Sequence, residues 1–259
     1  NPTAKMIWSP ICENGTALFT DSSDITDTET YLFTKWILDN GTPIFGRSAS
    51  QSFDSVGTFS IYMETSTAKQ CKDTIQDSIV VSPKPEAYFT VDDVCFYDSA
   101  YFIDQSTVAT GAIDSFIWEF SDKFDTSYVE QNRVHFFDTA GYYDAKLIVI
   151  TDSGCTARFD SFMSKHPQFD VSFDYVDTCF GLANEFNNTS ALAGGEYTDT
   201  VWYITNVDTA HTFDYTTTFG QEGTFEVQLI MEQDSFCRDT FTRQVEVDPI
   251  PQPDFDVAY

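Results

Sequence analysis

Three stretches of the chain alternate apolar and polar residues with a period of two. Phe59, Ile61 and Met63 fall on one side of the first. Tyr143, Ala145, Leu147 and Val149 do so in the second, and Phe225, Val227, Leu229 and Met231 in the third. A period of two sends successive side chains to opposite faces, so each stretch is predicted to be a half-buried strand. Thr, Val, Ile and aromatic residues dominate the flanking segments, and helical periodicity is almost absent. Many short strands broken by turn residues predict an all-β chain built from sandwiches.

The three strands belong to a longer repeat. Cys12, Cys95 and Cys179 lie 83 and 84 residues apart, and seven residues after each comes Phe19, Phe102 or Phe186. Trp36, Trp118 and Trp202 follow their cysteines by 23 or 24 residues. Each alternating strand opens on a glycine, Gly57, Gly141 or Gly223. Fourteen residues further stands a second cysteine, Cys71, Cys155 or Cys237, and twelve beyond it Pro83, Pro167 or Pro249. The expected domains are residues 1–85, 86–168 and 169–252. The tail "PDFDVAY" is similar to the openings of repeats two and three, so 253–259 is expected to start a further repeat cut short. With no initiator Met at Asn1, the chain is expected to be a fragment or processed piece. The tryptophans are read as central core residues, the alternative being exposed rings that stack on sugars.

Charge narrows the partners. The chain has 259 residues, with 13 Lys and Arg against 41 Asp and Glu, for a formal charge of −28. Binding phosphates needs a basic surface, so nucleic acid is excluded as an expected partner, and anionic membrane surfaces are disfavoured. No apolar run approaches the roughly 18 residues of a membrane span, so no membrane insertion is expected. Aromatic residues make up 16%, enough core-forming side chains to argue against disorder.

The order of motifs is similar to that of polycystic kidney disease (PKD) repeats. The second repeat carries it best, in "FIDQS", "FIWEFSD", "HFFDTAGYYDAKLIV" and "DSGC". Paired cysteines further resemble the subgroup in large secreted Bacteroidota surface proteins, including gliding-motility adhesins exported by the type IX system. The family's W-D-F-G-D-G turn reads here "WILDNG", "WEFSDK" and "WYITNV", and its turn His survives only as His135, with Gln51 and Thr217 in its place elsewhere. The resemblance implies immunoglobulin-like sandwiches in an elongated tandem array. It also implies an extracellular, cell-surface location and a noncatalytic role: spacing or presenting other domains in a filament or stalk, or adhesion. A carbohydrate- or surface-binding module is the alternative, and external polysaccharide the corresponding partner.

Six cysteines allow fifteen pairings, and the absence of C-x-x-C favours disulfides over zinc or redox sites. One reading pairs within repeats: Cys12–Cys71, Cys95–Cys155 and Cys179–Cys237. The other follows from a sandwich's alternating strand directions, which place the first cysteine of a repeat at the bottom and the second at the top. A strand of seven or eight residues spans about 25 Å, beyond the roughly 7 Å Cα separation that a disulfide allows. In a tandem array the bottom of one repeat meets the top of the next. Cys12 then faces Cys155 and Cys95 faces Cys237, while Cys71 and Cys179 pair to neighbouring repeats of the same polypeptide. This second reading is favoured, and the proline-bearing junctions "VVSPKPEAYF", "MSKHPQFDVSF" and "EVDPIPQPDFDV" add stiffness.

The acidic loop "DSSDITDTE" offers Asp21, Asp24, Asp27 and Glu29 to calcium, a hard cation that takes carboxylates, though without EF-hand spacing; a solvated loop is the plainer reading. Junction acids Asp92, Asp93, Asp174 and Asp177 are further calcium candidates. Asp-Ser/Thr-aliphatic triplets are similar to the Bacteroidota O-glycosylation signal and nominate Ser55, Thr74, Ser78, Ser99, Thr139, Thr200 and Thr209. His135, His166 and His211 occupy unrelated places in their repeats, and H-E-x-x-H, G-x-S-x-G and the P-loop are absent, so no enzymatic activity and no obligate cofactor are expected.

Overall fold

A computed structural model of the chain describes residues 1–25, 30–122, 130–194, 196–233 and 237–254, and every regular element among them is a β-strand. The small antiparallel sheets are those of tandem immunoglobulin-like sandwiches. The chain clusters into two compact units, one of residues 1–91, 101–133 and 144–162, the other of 92–100, 134–143 and 163–259. Residues of the second sequence repeat therefore serve in both.

In the first unit, one sheet orders Met6–Ile7, Gly15–Asp21 and Ser48–Phe53. Its partner orders Ile11–Cys12, Lys72–Ser82, Gly57–Thr67, Tyr31–Ile37 and Pro43–Phe45. The opening segment is shared between the sheets. Met6 and Ile7 run antiparallel to Gly15–Asp21, and then Ile11 and Cys12 switch to run parallel to the end of Lys72–Ser82. Ala17, Phe19, Trp36, Ile61, Met63, Ile79 and Val81 fill the core between them. Trp36 is fully buried, and its indole N–H donates to the Gly46 carbonyl at 2.9 Å, which spares the cost of an unmet buried donor. The same unit holds a second aromatic cluster. Phe89 meets Trp118 edge-on at 5.1 Å and Phe102 lies 4.8 Å from Phe120.

In the second unit, Phe173–Tyr175, Ala183–Asn188 and Tyr215–Thr218 form one sheet. Asp208–Ala210, Tyr197–Ile204, Gly223–Gln233 and Cys237–Val247 form the other. Phe173, Phe186, Trp202, Val227, Leu229 and Met231 lie between them, and the Trp202 indole donates to the Thr212 carbonyl at 3.0 Å. The tryptophan of each repeat is a core residue: Trp118, like Trp36 and Trp202, has no exposed surface.

A register shift breaks each Trp-bearing strand a few residues ahead of the Trp, between Tyr31 and Phe33, Ile113 and Ser115, and Tyr197 and Asp199. An extra residue there changes which side chains face inward and sets the Trp in phase with the core. The hairpin after Trp202 turns on Asn206, at φ 62°, with the Val207 N–H bonded to the Ile204 carbonyl at 3.0 Å. Asn tolerates this left-handed conformation better than most residues, so "WYITNV" makes a tight turn without the family's glycine.

Candidate functional site: the cysteine pairs

The second cysteine of a repeat follows a tight hairpin. The Thr67 N–H bonds the Cys71 carbonyl at 3.0 Å and the Gln70 N–H bonds the Thr67 carbonyl at 2.8 Å. The next repeat reproduces both bonds, Thr151 to Cys155 and Gly154 to Thr151, each at 2.8 Å. The residue before the cysteine has positive φ, 64° at Gln70 and 79° at Gly154. "DSGC" is thus a turn that ends one strand, uses glycine for the left-handed step and delivers a sulfur at the start of the next. Cys237 stands opposite Gln233 in the antiparallel ladder of the third repeat.

The first cysteine of a repeat sits at the far end of that next strand. Cys12 is in parallel register with Ser82, and the Glu13 N–H donates to the Ser82 carbonyl at 2.9 Å. Cys179 bridges Asp248 in the same parallel sense, and the Phe180 N–H donates to the Asp248 carbonyl at 2.7 Å. Ahead of Cys95, Val94 bridges Lys165, again in parallel. Lys72–Ser82 has eleven residues, so Cys12 and Cys71 stand roughly 33 Å apart along it. That separation rules out a Cys12–Cys71 bond without unravelling the sheet.

The structure joins Cys12 to Cys155, with Cα atoms 5.7 Å apart, and Cys95 to Cys237, at 5.6 Å. Each bond links the first cysteine of one repeat to the second cysteine of the next, and each lies wholly within one compact unit. Cys155 and Cys237 are fully buried, whereas Cys71 and Cys179 are free and half-exposed.

Three of the carboxylates nominated for calcium, Asp21, Asp24 and Asp93, have other work. The Asp21 Oδ1 accepts the Ser23 N–H at 2.8 Å, and its Oδ2 accepts the hydroxyl of buried Thr34. The Asp104 Oδ1 accepts the Ser106 N–H at 3.0 Å and the Asn188 Oδ1 accepts the Ser190 N–H at 2.9 Å. The F-x-D-x-S motif is therefore an Asx turn that closes a strand, in all three repeats. Asp24 pairs with Lys5, and Asp93 accepts the Ser164 N–H at 2.6 Å. Asp27 and Glu29 lie outside the described residues. Among the described residues no group of three or more His, Cys, Asp or Glu is placed to hold a metal ion. Among them, too, no helix is long and apolar enough to cross a membrane.

Of the glycosylation candidates, Ser55, Thr74, Ser78, Thr139 and Thr209 are exposed, while Ser99 and Thr200 are half-buried. A groove of about 610 Å³ on the first unit is lined by Glu119, Lys146, Arg158, Asp160 and the exposed ring of Phe162. Its two cations are paired: Arg158 holds Asp160 through two 2.7 Å hydrogen bonds that keep the carboxyl below its usual range, and Lys146 meets Glu119, while Asp122 and Asp144 leave the lining acidic.

Lys165 went unmarked in the sequence. Its side chain is 1% exposed, at the position that holds buried Val81 and Val247 in the other repeats. The ammonium donates to the Phe137 carbonyl at 2.7 Å and the Asp98 carbonyl at 3.2 Å, and lies 3.8 Å from the centre of the Phe136 ring. Burial lowers its pKa, opposed by the charges of Asp98 and Asp138.

No curated protein matches the chain. Among solved structures, three N-terminal domains of the bacteriophage RB49 Highly Immunogenic Outer Capsid protein are similar at 10% identity and a TM-score of 0.45, over 97% of this chain and 99% of that one. Fibronectin(III)-like modules of Clostridium thermocellum CbhA align at 9% identity and a TM-score of 0.43, over 64% of this chain and 93% of that one. Part of a 1.5-MDa bacterial ice-binding adhesin aligns at 10% identity and a TM-score of 0.35, over 96% and 98%. A family profile, described as the PKD domain, matches residues 80–166, the stretch that contains Phe102, Trp118, Gly141 and Cys155, and so marks a PKD-type domain within this chain.

Proposed function

We propose that this chain is a noncatalytic, extracellular segment of a cell-surface filament, stalk or adhesin, in which covalently linked PKD-type repeats space and present adhesive regions. The repeats are 1–85, 86–168 and 169–252, and 253–259 begins another, of which 255–259 lie outside the described residues. The observation that carries the reading is the pairing of Cys12 with Cys155 and Cys95 with Cys237. A catalytic or ligand-binding module gains nothing from bonds between successive repeats. A segment under tension gains a path along which force passes through sulfur instead of through sheets. Cys71 and Cys179 extend the same scheme to neighbouring repeats. The formal charge of −28 suits a surface exposed to cations and keeps strands of the array from aggregating. The finer assignment, a gliding-motility adhesin exported by the type IX system, rests on the paired-cysteine resemblance. Calcium and O-glycans at exposed Asp-Ser/Thr sites are accessory to it.

Nonreducing digestion of the natural protein, followed by mass spectrometry, tests the reading. Peptides joining Cys12 to Cys155 and Cys95 to Cys237 are expected. Peptides joining Cys12 to Cys71 and Cys95 to Cys155 would refute the linked array. The groove beside Phe162 favours glycan binding as the second reading, and binding on a glycan array that is lost in Phe162→Ala would support it.

A further inference from the structure

Outward positions of one sheet in the second repeat build the groove beside Phe162. That sheet orders Ile113–Phe120, Gly141–Thr151 and Thr156–Lys165. Trp118, Phe120, Ala145 and Leu147 are buried on its inner side. Glu119 and Lys146 alternate with them, so both point outward, and they stand opposite each other across the two strands. Arg158, Asp160 and Phe162 alternate in the same way along the third strand and are exposed. The groove holds about 610 Å³, within the roughly 300–1,000 Å³ of small-molecule sites.

The fold does not call for these side chains. Phe162 stands twenty-one residues after Gly141, and the same places after Gly57 and Gly223 hold Ser78 and Gln244. Arg158 and Asp160 correspond to Thr74 and Gln76 in the first repeat, and to Thr240 and Thr242 in the third. Those repeats form the equivalent strands, Lys72–Ser82 and Cys237–Val247, with neither a ring nor a charge at these places. The Phe162 ring is 70% exposed and adds nothing to the core, which leaves it available to a ligand.

Resting on the glycan reading above, we propose that this groove takes an uncharged hexose oligosaccharide and turns acidic sugars away. A pyranose face stacks on Phe162 while hydroxyls meet the two ion pairs.

The ion pairs suit hydroxyls. Arg158 gives two N–H groups to Asp160, at 2.7 Å each, and a guanidinium has five. Lys146 gives one of its three to Glu119. The paired carboxylates keep further lone pairs of their own. Donors and acceptors therefore stand side by side, and a hydroxyl, which both donates and accepts, uses both. A sugar carboxylate or sulfate only accepts. To reach a bare cation it has to displace Asp160 from Arg158 or Glu119 from Lys146, and it enters beside Asp122 and Asp144. Among the described residues the lining sets four carboxylates against two cations, in a chain of formal charge −28, so a polyanion is repelled before contact.

Calorimetric titration of the full chain tests this with hexasaccharides of glucose, mannose and galactose, and with hexagalacturonate, whose ring is that of galactose with a carboxylate at C6. At least one neutral hexasaccharide is expected to bind, and the galacturonate to bind about tenfold or more weaker than the tightest of them at low salt. Added salt should narrow that gap by screening the carboxylates. Phe162→Ala and Arg158→Gln should each weaken neutral binding about tenfold, with thermal melts checking that both variants fold. Galacturonate binding as tight as the neutral sugars, and lost in Phe162→Ala, would overturn this inference and leave the glycan reading standing. Neutral binding that neither variant weakens would put the site elsewhere and overturn the inference too. Silence from all four sugars overturns it as well, and a glycan array without hits then overturns the glycan reading itself.

Discussion

The Tyr143 hydroxyl donates to the carbonyl of Thr139, four residues upstream, at 2.7 Å. It ties the start of a long strand to the corner that precedes it, as the tyrosine corner does in other sandwiches. The ring stacks on Phe137 at 4.0 Å. At the matching places Phe59 packs on Phe53 at 4.8 Å and Phe225 on Phe219 at 4.2 Å, with no hydroxyl to bond. Packing is thus common to all three corners, and the hydrogen bond belongs to one. Tyr143→Phe should cost about 1 kcal/mol, the net value of such a bond, while Tyr143→Ala should cost about 3–5 kcal/mol through lost packing. Urea midpoints of the full chain check both, and equal losses would mean that the hydroxyl, not the ring, holds the corner.

The two hairpins that lead to Cys71 and Cys155 predict opposite responses at one position. A Cβ added at Gly154 meets no atom within 4 Å, so a substitution there is penalised by its φ of 79° alone. Gly154→Ala should cost about 1 kcal/mol. Gln70 bears the same conformation at φ 64° with a side chain, so Gln70→Gly should stabilise by about 0.5 kcal/mol, less than the full relief because glycine loses more entropy on folding. Paired thermal or urea melts of the two variants decide it, and a loss in both would mean that Gln70 makes a compensating contact.

What was legible in the sequence depended on period. Strands alternate every two residues, so Leu147 and Val149 announced their burial, and the spacing of Trp118 from Cys95 repeated too closely for chance. The same alternation concealed Lys165. A lysine at an inward position reads as a break in the pattern, and only the carbonyls of Phe137 and Asp98, distant in sequence, show how its charge is satisfied. Asn206 was equally silent, because a turn without glycine leaves no signature beyond one tolerant residue. The Asp of F-x-D-x-S suggested a cation site for a related reason: composition reveals a carboxylate but not the Ser N–H two residues on that occupies it.

Buried Lys165 makes stability depend on pH with a definite sign. Its pKa is lowered by burial, so between that value and its ordinary 10.5 the unfolded chain binds more protons than the folded one. Stability therefore rises with pH across that window. Tyr175, Tyr197 and Tyr215 act in the opposite sense above pH 10, since burial raises all three. Urea midpoints should climb as pH approaches 10 from below and fall beyond it. Lys165→Met should abolish the climb and keep the fall; a climb that persists in the variant would assign it to another group.

The two disulfides shorten the path that tension can follow. From Asn1 the covalent route runs eleven residues to Cys12 and crosses to Cys155. It then returns sixty residues to Cys95, crosses to Cys237 and leaves by the last twenty-two. Fully stretched, at about 3.6 Å per residue, that route measures about 335 Å, against about 930 Å for the reduced chain. Pulling the oxidised chain by its ends should stop near the shorter length, and adding a reductant should release the remainder. Cys12→Ser alone should release only the length held by that bond and leave residues 95–237 closed. The disulfides also restrict the unfolded ensemble: a loop of 143 residues is worth about 5 kcal/mol in the chain-entropy model, so opening the Cys12–Cys155 bond alone should lower stability by up to that amount. A chain that extends to the full length without reductant would show that the bonds are absent.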